Sequence, residues 1–270
     1  ILVSQYPDEY RAHQVMGDMH YISGNYDSAS IAYCKSLSMN STEYNVWQNL
    51  FFSLNMLKKY SELADSSKSA LEYFPANSIV HYYNGIANAQ IENLGQAEKS
   101  YRRGLRFVGE NRLLEAQIYT SLADLYYKQK RHKEMDESFE SSIRLDPNNA
   151  YTLNNYAYYL SQRKDKLEYA KKMSRKSLDI EDKNSSFLDT YAWIQFALGN
   201  YTEAKYYQEQ ALEHGKEDMA TVYEHYGDIS IKLNDKENAL KYWNKAKEAG
   251  SKNKSLPIKI SKMSYVEYQE

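Results

Sequence analysis

Small and large side chains alternate along the chain at helical spacing. The stretch LDTYAWIQFALGNYTEAKYYQEQAL, residues 188–212, sets Ala192, Ala204 and Ala211 among Trp, Phe and Tyr residues. Small residues let two helices approach closely, and large side chains fill the gaps beside them. The stretch therefore predicts a pair of helices joined by the tight turn LGNY.

Five stretches of the chain share this spacing. Each opens on a small residue, and a second small residue follows nineteen positions later. The opening residues are Gly17, Gly85, Ala123, Ala192 and Gly227, and the closing residues are Ser36, Gly104, Ser142, Ala211 and Ala246. An internal repeat of this length predicts a stack of similar helix pairs, in which neighbouring pairs supply each other's core.

The spacing resembles the tetratricopeptide repeat, a 34-residue helix-turn-helix unit with small residues at repeat positions 8, 20 and 27. Pro7, Pro75 and Pro147 all fall at repeat position 32 if four residues are inserted once, near residues 110–115. Repeats then start near Tyr10, Tyr44, Ser78, Ala116, Ala150, Ser185 and Ala220. The resemblance implies an all-α fold, a right-handed α-solenoid of about seven such units.

The two ends of the chain depart from the repeat. Residues 1–9 are interpreted as the end of a truncated preceding repeat, so that an N-terminally extended chain should be more stable. Residues 10–253 hold the seven repeats, and 254–270 are interpreted as a C-terminal capping helix and tail. Ser255 can cap that helix, and Leu256 and Ile260 lie at helical spacing on one side of it. A frayed tail is the alternative.

Repeat 2 has large residues where the other repeats have small ones. Phe51 stands at position 8 and Leu63 at position 20, and these positions face each other in the family. We therefore expect a locally wider helix pair in this repeat.

Composition excludes several classes of protein. The net charge is -2, from 34 Lys and Arg against 36 Asp and Glu, which gives no electrostatic basis for nucleic-acid binding. No stretch approaches the roughly 18 apolar residues of a membrane span. Cys34 is the only cysteine, so no disulfide can form within the chain, and we expect it to be buried as a small hydrophobic residue.

No motif for catalysis or for metal binding is present. The chain lacks HExxH, GxSxG, phosphate-binding and dinucleotide-binding patterns. Its histidines are interpreted as core or surface residues: His13, His20, His81, His132, His214 and His225. We expect no enzyme activity, no catalytic residues, no cofactor and no metal.

The resemblance places a binding surface on the first helix of each repeat, at positions 2, 5, 6, 9, 12 and 13 of the concave face. The candidate partner-binding residues are Asn49, Phe52, Tyr82, Tyr83, Asp124, Asn154, Asn155, Tyr158 and Trp193. The same positions also give Asp18, Tyr21, Asp189, Phe196, Glu224 and Asp228. Amides can pair with an extended peptide backbone, and aromatic rings supply contact area. The alternative is that these aromatic residues only pack between neighbouring helices.

These observations favour a non-catalytic scaffold that binds another protein or peptide segment, and the near absence of Lys from the set excludes the family's carboxylate clamp. A structural homo-oligomer and the non-catalytic arm of a larger enzyme are the alternatives. The repeats are similar to those of bacterial envelope proteins, so a periplasmic or cell-envelope location, with a lipid-anchored full-length protein, is favoured over a cytoplasmic one.

Overall fold

The computed structural model describes residues 2–215 and 219–267, and all regular secondary structure within these ranges is helical. The packing of the backbone divides the chain into two compact units, residues 1–146 and residues 147–270. Each unit contains whole helix pairs.

The first unit contains the predicted repeats 1 to 4. Its helices are α1 (Leu2–Gln5), α2 (Tyr10–Ile22), α3 (Tyr26–Met39), α4 (Tyr44–Met56), α5 (Tyr60–Tyr73), α6 (Ser78–Gln90), α7 (Leu94–Phe107), α8 (Arg112–Lys128) and α9 (His132–Leu145). Within this unit each helix packs against the next one along the chain.

The second unit contains the predicted repeats 5 to 7. Its helices are α10 (Ala150–Gln162), α11 (Leu167–Ile180), α12 (Ser185–Ala197), α13 (Tyr201–His214), α14 (Ala220–Lys232), α15 (Lys236–Glu248) and α16 (Leu256–Lys262). The short helix α16 packs against α15, with Leu256 buried beside Trp243. The division of the chain at residues 9 and 253 stays a prediction.

The first helix of a repeat begins where the sequence register places it, except in repeat 4. There α8 begins at Arg112, four residues before Ala116, and Asn111 Oδ1 accepts a hydrogen bond from the backbone N–H of Leu114. The four inserted residues therefore lengthen the first helix of the repeat at its N-terminus. Asn77 and Asn149 cap α6 and α10 in the same way.

Close approach within a repeat depends on the small residue at position 8. In repeat 3 a Cβ on Gly85 would lie 2.4 Å from the ring of Tyr101, which stands at position 24 of the same repeat. In repeat 7 a Cβ on Gly227 would lie 2.4 Å from the indole of Trp243. The glycine in the first helix thus makes room for the aromatic ring of the second.

Repeat 2 is the expected exception. Phe51 and Leu63 are both fully buried, and α4 packs on α5 less closely than the two helices of any other repeat pack on each other. The prediction of a locally wider pair is confirmed, and the Phe51 side chain fills the space. Tyr83 of the next repeat packs against Phe51, with ring centroids 5.5 Å apart.

The prediction for Cys34 was wrong. Cys34 is exposed on α3, whereas its neighbour Tyr33 is completely buried. Tyr33 takes the position that faces Gly17, so the next residue is turned out of the core.

Candidate protein-binding surface

The predicted partner-binding residues fall into two sets. The unit 1 row comprises Asn49, Phe52, Tyr82, Tyr83 and Asp124, and the unit 2 row comprises Asn154, Asn155, Tyr158 and Trp193. All are half-buried except Asn154, which is buried. They lie on α4, α6, α8, α10 and α12, the first helices of their repeats.

Asn49 takes part in a hydrogen-bond network between repeats 1 and 2. Its Nδ2 donates to Asp18 Oδ1 and to the Tyr33 hydroxyl, both at 3.3 Å, and the Tyr33 hydroxyl donates to Asp18 Oδ1 at 2.8 Å. The Asn49 amide therefore already has partners within the chain, and it joins α2, α3 and α4.

The aromatic residues of the unit 1 row pack between neighbouring helices. Phe52 lies edge-to-face with Tyr21 and with Tyr26, at centroid distances of 5.4 and 5.7 Å. Tyr82 lies 5.9 Å from Tyr83. Burial raises the pKa of Tyr83 to about 12. This agrees with the alternative that these rings serve packing, although each keeps part of its surface in solvent.

Tyr82 also extends the unit 1 row towards repeat 4. Its ring is 6.3 Å from that of Tyr101. Burial raises the pKa of Tyr82, a hydrogen bond with Ser121 opposes the shift, and the negative charge of Asp124 adds to it. The structure thus brings Tyr82 of α6 near Asp124 of α8, and the Tyr83 ring lies beside that of Tyr82.

The unit 2 row contains a hydrogen-bond acceptor that has no partner among the described residues of the fold. Asn154 is 6% exposed, and its Oδ1 is buried without a hydrogen-bond partner in the described part of the chain. Asn155 is half-buried beside it on α10, and Tyr158 lies edge-to-face with Tyr159 at 5.6 Å. An unpaired buried acceptor destabilises the folded state by about 1–3 kcal/mol.

Trp193, by contrast, is held by its own chain. Its indole stacks on His225 with ring centroids 3.9 Å apart, and on Phe196 at 4.7 Å. His225 Nδ1 bonds Asp189 Oδ1 at 2.9 Å, and Gln208 Nε2 donates to the same oxygen at 2.5 Å. Sequence reasoning missed this arrangement because His225 carries no motif that relates it to Asp189.

Two further residues that sequence reasoning missed lie near the C-terminal end. Lys259 is 2% exposed and donates to Glu224 Oε1 at 2.7 Å and to Asp228 Oδ2 at 2.6 Å. Tyr265 lies edge-to-face with Phe196 at 5.2 Å. Burial raises the pKa of Asp228 to about 6, although Lys259 opposes the shift.

Two other kinds of function, metal binding and membrane crossing, have no support in the described part of the chain. Within residues 2–215 and 219–267, no group of three or more His, Cys, Asp or Glu side chains is arranged to hold a metal ion. None of the helices described in these ranges is both long enough and apolar enough to cross a membrane.

Solved structures with a similar arrangement of helices define the class of fold. A tetratricopeptide repeat protein from Parabacteroides merdae superposes with a TM-score of 0.70 at 14% identity, over 93% of this chain and 97% of that one. PilF of Pseudomonas aeruginosa gives 0.65 at 18%, over 81% and 95%. PilW, a type IV pilus biogenesis factor, gives 0.67 at 15%, over 79% and 96%. The chain is an all-α solenoid of helix pairs.

The family follows from the sequence of the individual repeats. The tetratricopeptide repeat model matches residues 10–43, 116–149, 186–213 and 220–250. The chain is a tetratricopeptide repeat protein, as the spacing of its small residues predicted. No curated protein sequence matches it significantly. The fold is an interaction module that is generally non-catalytic and serves as a scaffold for protein partners.

Proposed function

We propose that the chain is a non-catalytic scaffold that holds an extended segment of another protein on the unit 2 row. The partner segment is neutral or mildly basic. It contributes backbone N–H and C=O groups to Asn154 and Asn155, and an apolar side chain to Tyr158.

One observation carries this proposal. Asn154 Oδ1 is buried and unpaired, and the half-buried Asn155 is the next residue on α10. By comparison, Asn84 in unit 1 donates to Ser67 Oγ at 2.9 Å and accepts from Ser100 Oγ at 2.7 Å. Asn84 shows that a buried amide on a first helix can be paired within the fold, so the unpaired acceptor of Asn154 supports a polar ligand at this position.

The interaction rests on hydrogen bonds and aromatic contact. An amide side chain offers one acceptor and two donor hydrogens, which suits pairing with a peptide backbone. A Tyr ring adds amphipathic contact area at a low cost in side-chain entropy. Neither contribution requires a charged partner.

The test compares two variants of the whole chain. A tagged wild-type chain recovers its partner from the native cell, and the partner is then made pure. We expect Asn155→Ala with Tyr158→Ala to reduce affinity at least tenfold, because a central aromatic contact typically contributes more than about 2 kcal/mol. Tyr206→Ala, at an exposed site on α13, is the matched control and should bind as the wild type does. Equal affinity of all three chains contradicts the proposal.

We further propose that this scaffold works in a bacterial cell envelope. The fold similarity to PilW, a type IV pilus biogenesis factor, supports this location. Fractionation of cells that express the natural gene with a C-terminal tag tests it. Recovery in the cytoplasmic fraction contradicts it.

A second candidate function is self-association through α2. Val15, Met19 and Ile22 follow at helical spacing on this helix and are 45%, 68% and 84% exposed. A contiguous apolar stripe of this kind favours a protein contact. Sedimentation velocity should show a dimer that Met19→Lys dissociates, whereas Ile180→Lys, at an exposed site on α11, leaves it intact. A wild-type chain that is monomeric at every concentration removes this candidate.

A further inference from the structure

Residues 255–267, here called the tail segment, lie across the first helices of repeats 7 and 6. The segment begins with α16, in which Lys259 contacts α14, and continues to Tyr265, which contacts Phe196 on α12. Glu267 then reaches Lys164, in the turn between α10 and α11, at 2.6 Å. The tail segment thus runs back along the repeats in the reverse of their order in the chain.

The tail segment covers residues that the resemblance assigned to partner binding. Glu224 and Asp228, at positions 5 and 9 of repeat 7, bind its Lys259. Phe196, on repeat 6, packs with its Tyr265, and Trp193 packs against the same hydrophobic cluster. In repeats 6 and 7, the tail segment of the same chain therefore covers the surface that was expected to bind a partner.

Charge makes the site around Glu224 selective for a cation. Both carboxylates are almost completely buried, at 5% and 1% exposure, and Lys259 is the cation between them. Asp228 also accepts a hydrogen bond from Trp243 Nε1 at 2.9 Å, and Asn253 Nδ2 donates to Glu224. A buried carboxylate pair without a cation is strongly destabilised, so a segment must bring a Lys or Arg to this position.

The rest of the tail segment is held loosely. Lys164 and Glu267 are each about half exposed, and an ion pair of this kind contributes little. The helix α16 has seven residues, which is too short to be stable alone. Lys259, Leu256 and Tyr265 therefore carry most of the attachment.

We propose that Glu224, Asp228, Trp193 and Phe196 form a second binding site, for a partner segment with a Lys and, six residues later, an aromatic residue. This proposal rests on the scaffold function proposed above. The tail segment occupies the site in cis and competes with the partner. A tethered segment acts at an effective concentration of the order of millimolar, so only a partner that binds elsewhere as well displaces it readily.

The probe is a fluorescent peptide with the sequence of residues 255–267, SLPIKISKMSYVE, added to the full chain. We expect the Tyr265→Ala chain to bind it at least about tenfold more tightly than the wild type, because the tail loses its aromatic contact while the site stays intact. Lys262→Ala, exposed on α16, is the matched control and should behave as the wild type. A peptide with Ala in place of its first Lys should not bind.

Two results would overturn the proposal. One is equal peptide affinity for all three chains, and the other is no binding to a folded Tyr265→Ala chain. If that variant does not fold, hydrogen exchange of the wild type decides, since the tail segment should exchange as a unit before α14 and α15 do. Exchange of the tail only with global unfolding rejects the proposal. None of these results depends on Asn155 or Tyr158, so failure here is distinguishable from failure of the scaffold function.

Discussion

The indole of Trp193 lies almost parallel to the imidazole of His225, at 14° between planes and 3.9 Å between centroids. His225 in turn bonds both oxygens of Asp189, at 2.9 and 3.0 Å. A residue predicted to face a partner is therefore part of the contact between α12 and α14. Trp193→Ala removes packing as well as any binding contact, which is why Asn155 and Tyr158 are the sharper test of the surface.

The first prediction concerns the pH dependence of this contact. Burial lowers the pKa of His225, but Asp189, with Asp228 and Glu224 nearby, outweighs burial, and the pKa is raised. The stabilisation is therefore full below the unfolded pKa of about 6.5 and is lost as pH rises through the folded value. In thermal melts from about pH 6 to about pH 9, the melting temperature of the wild type should fall towards that of His225→Gln as the pH rises. Parallel curves for the two chains contradict this.

The second prediction compares two glycines of repeat 3. Gly85→Ala places a methyl group against Tyr101, which is 2% exposed and cannot move aside, and should cost roughly 1–3 kcal/mol. Gly95→Ala has nothing within 4 Å and should be neutral or stabilising by up to about 1 kcal/mol. Urea unfolding of both variants checks this. Equal midpoints would mean that Tyr101 is not held where the structure has it.

The third prediction concerns the close contact of α12 with α13. Ala204 is completely buried next to Phe196 and Ile229, so Ala204→Leu should overpack this contact at a cost of roughly 1–3 kcal/mol. Ala249→Leu, at an exposed position after α15, is the control and should melt as the wild type does. A melt of Ala204→Leu that matches the wild type would remove the repeat register.

The fourth prediction distinguishes the two proposed sites by salt. Partner binding at Asn155 and Tyr158 should change little between about 0.1 M and about 1 M salt, although the Debye length falls from about 10 Å to about 3 Å. Binding of the 255–267 peptide should weaken over the same range, because it requires a cation. Titrations at several salt concentrations measure both. If the affinities of the partner and of the peptide change equally with salt concentration, the two sites do not differ in chemistry as proposed.

The repeat architecture could be predicted because it depends on the spacing of small and large residues within short stretches of the sequence. Small residues at fixed intervals give the helix pairs, and Phe51 with Leu63 gives the wider pair of repeat 2. The Cys34 prediction failed on a single position, since the ring of the adjacent Tyr33 takes the buried side of α3. Each of these features depends on residues within one or two helices.

The candidate surface was harder to predict because it depends on contacts between distant residues. Asn49 was placed on a first helix, but its hydrogen bonds to Asp18 and Tyr33 come from the preceding repeat. The position of Lys259 beside Asp228 depends on how the chain turns after α15. Position within a repeat predicts the face of a helix, and it does not predict what covers that face.

The buried contact of Lys259 with Asp228 also has a consequence for the order of events during synthesis. The lysine follows the aspartate by 31 residues. At roughly 5–20 residues per second, the ribosome adds it some seconds after Asp228. During that interval the two carboxylates of α14 lack their ion pairs with Lys259 and stay hydrated. The last repeat therefore reaches its final packing only after translation has passed Lys259, and until then its acidic face is open to any basic segment nearby.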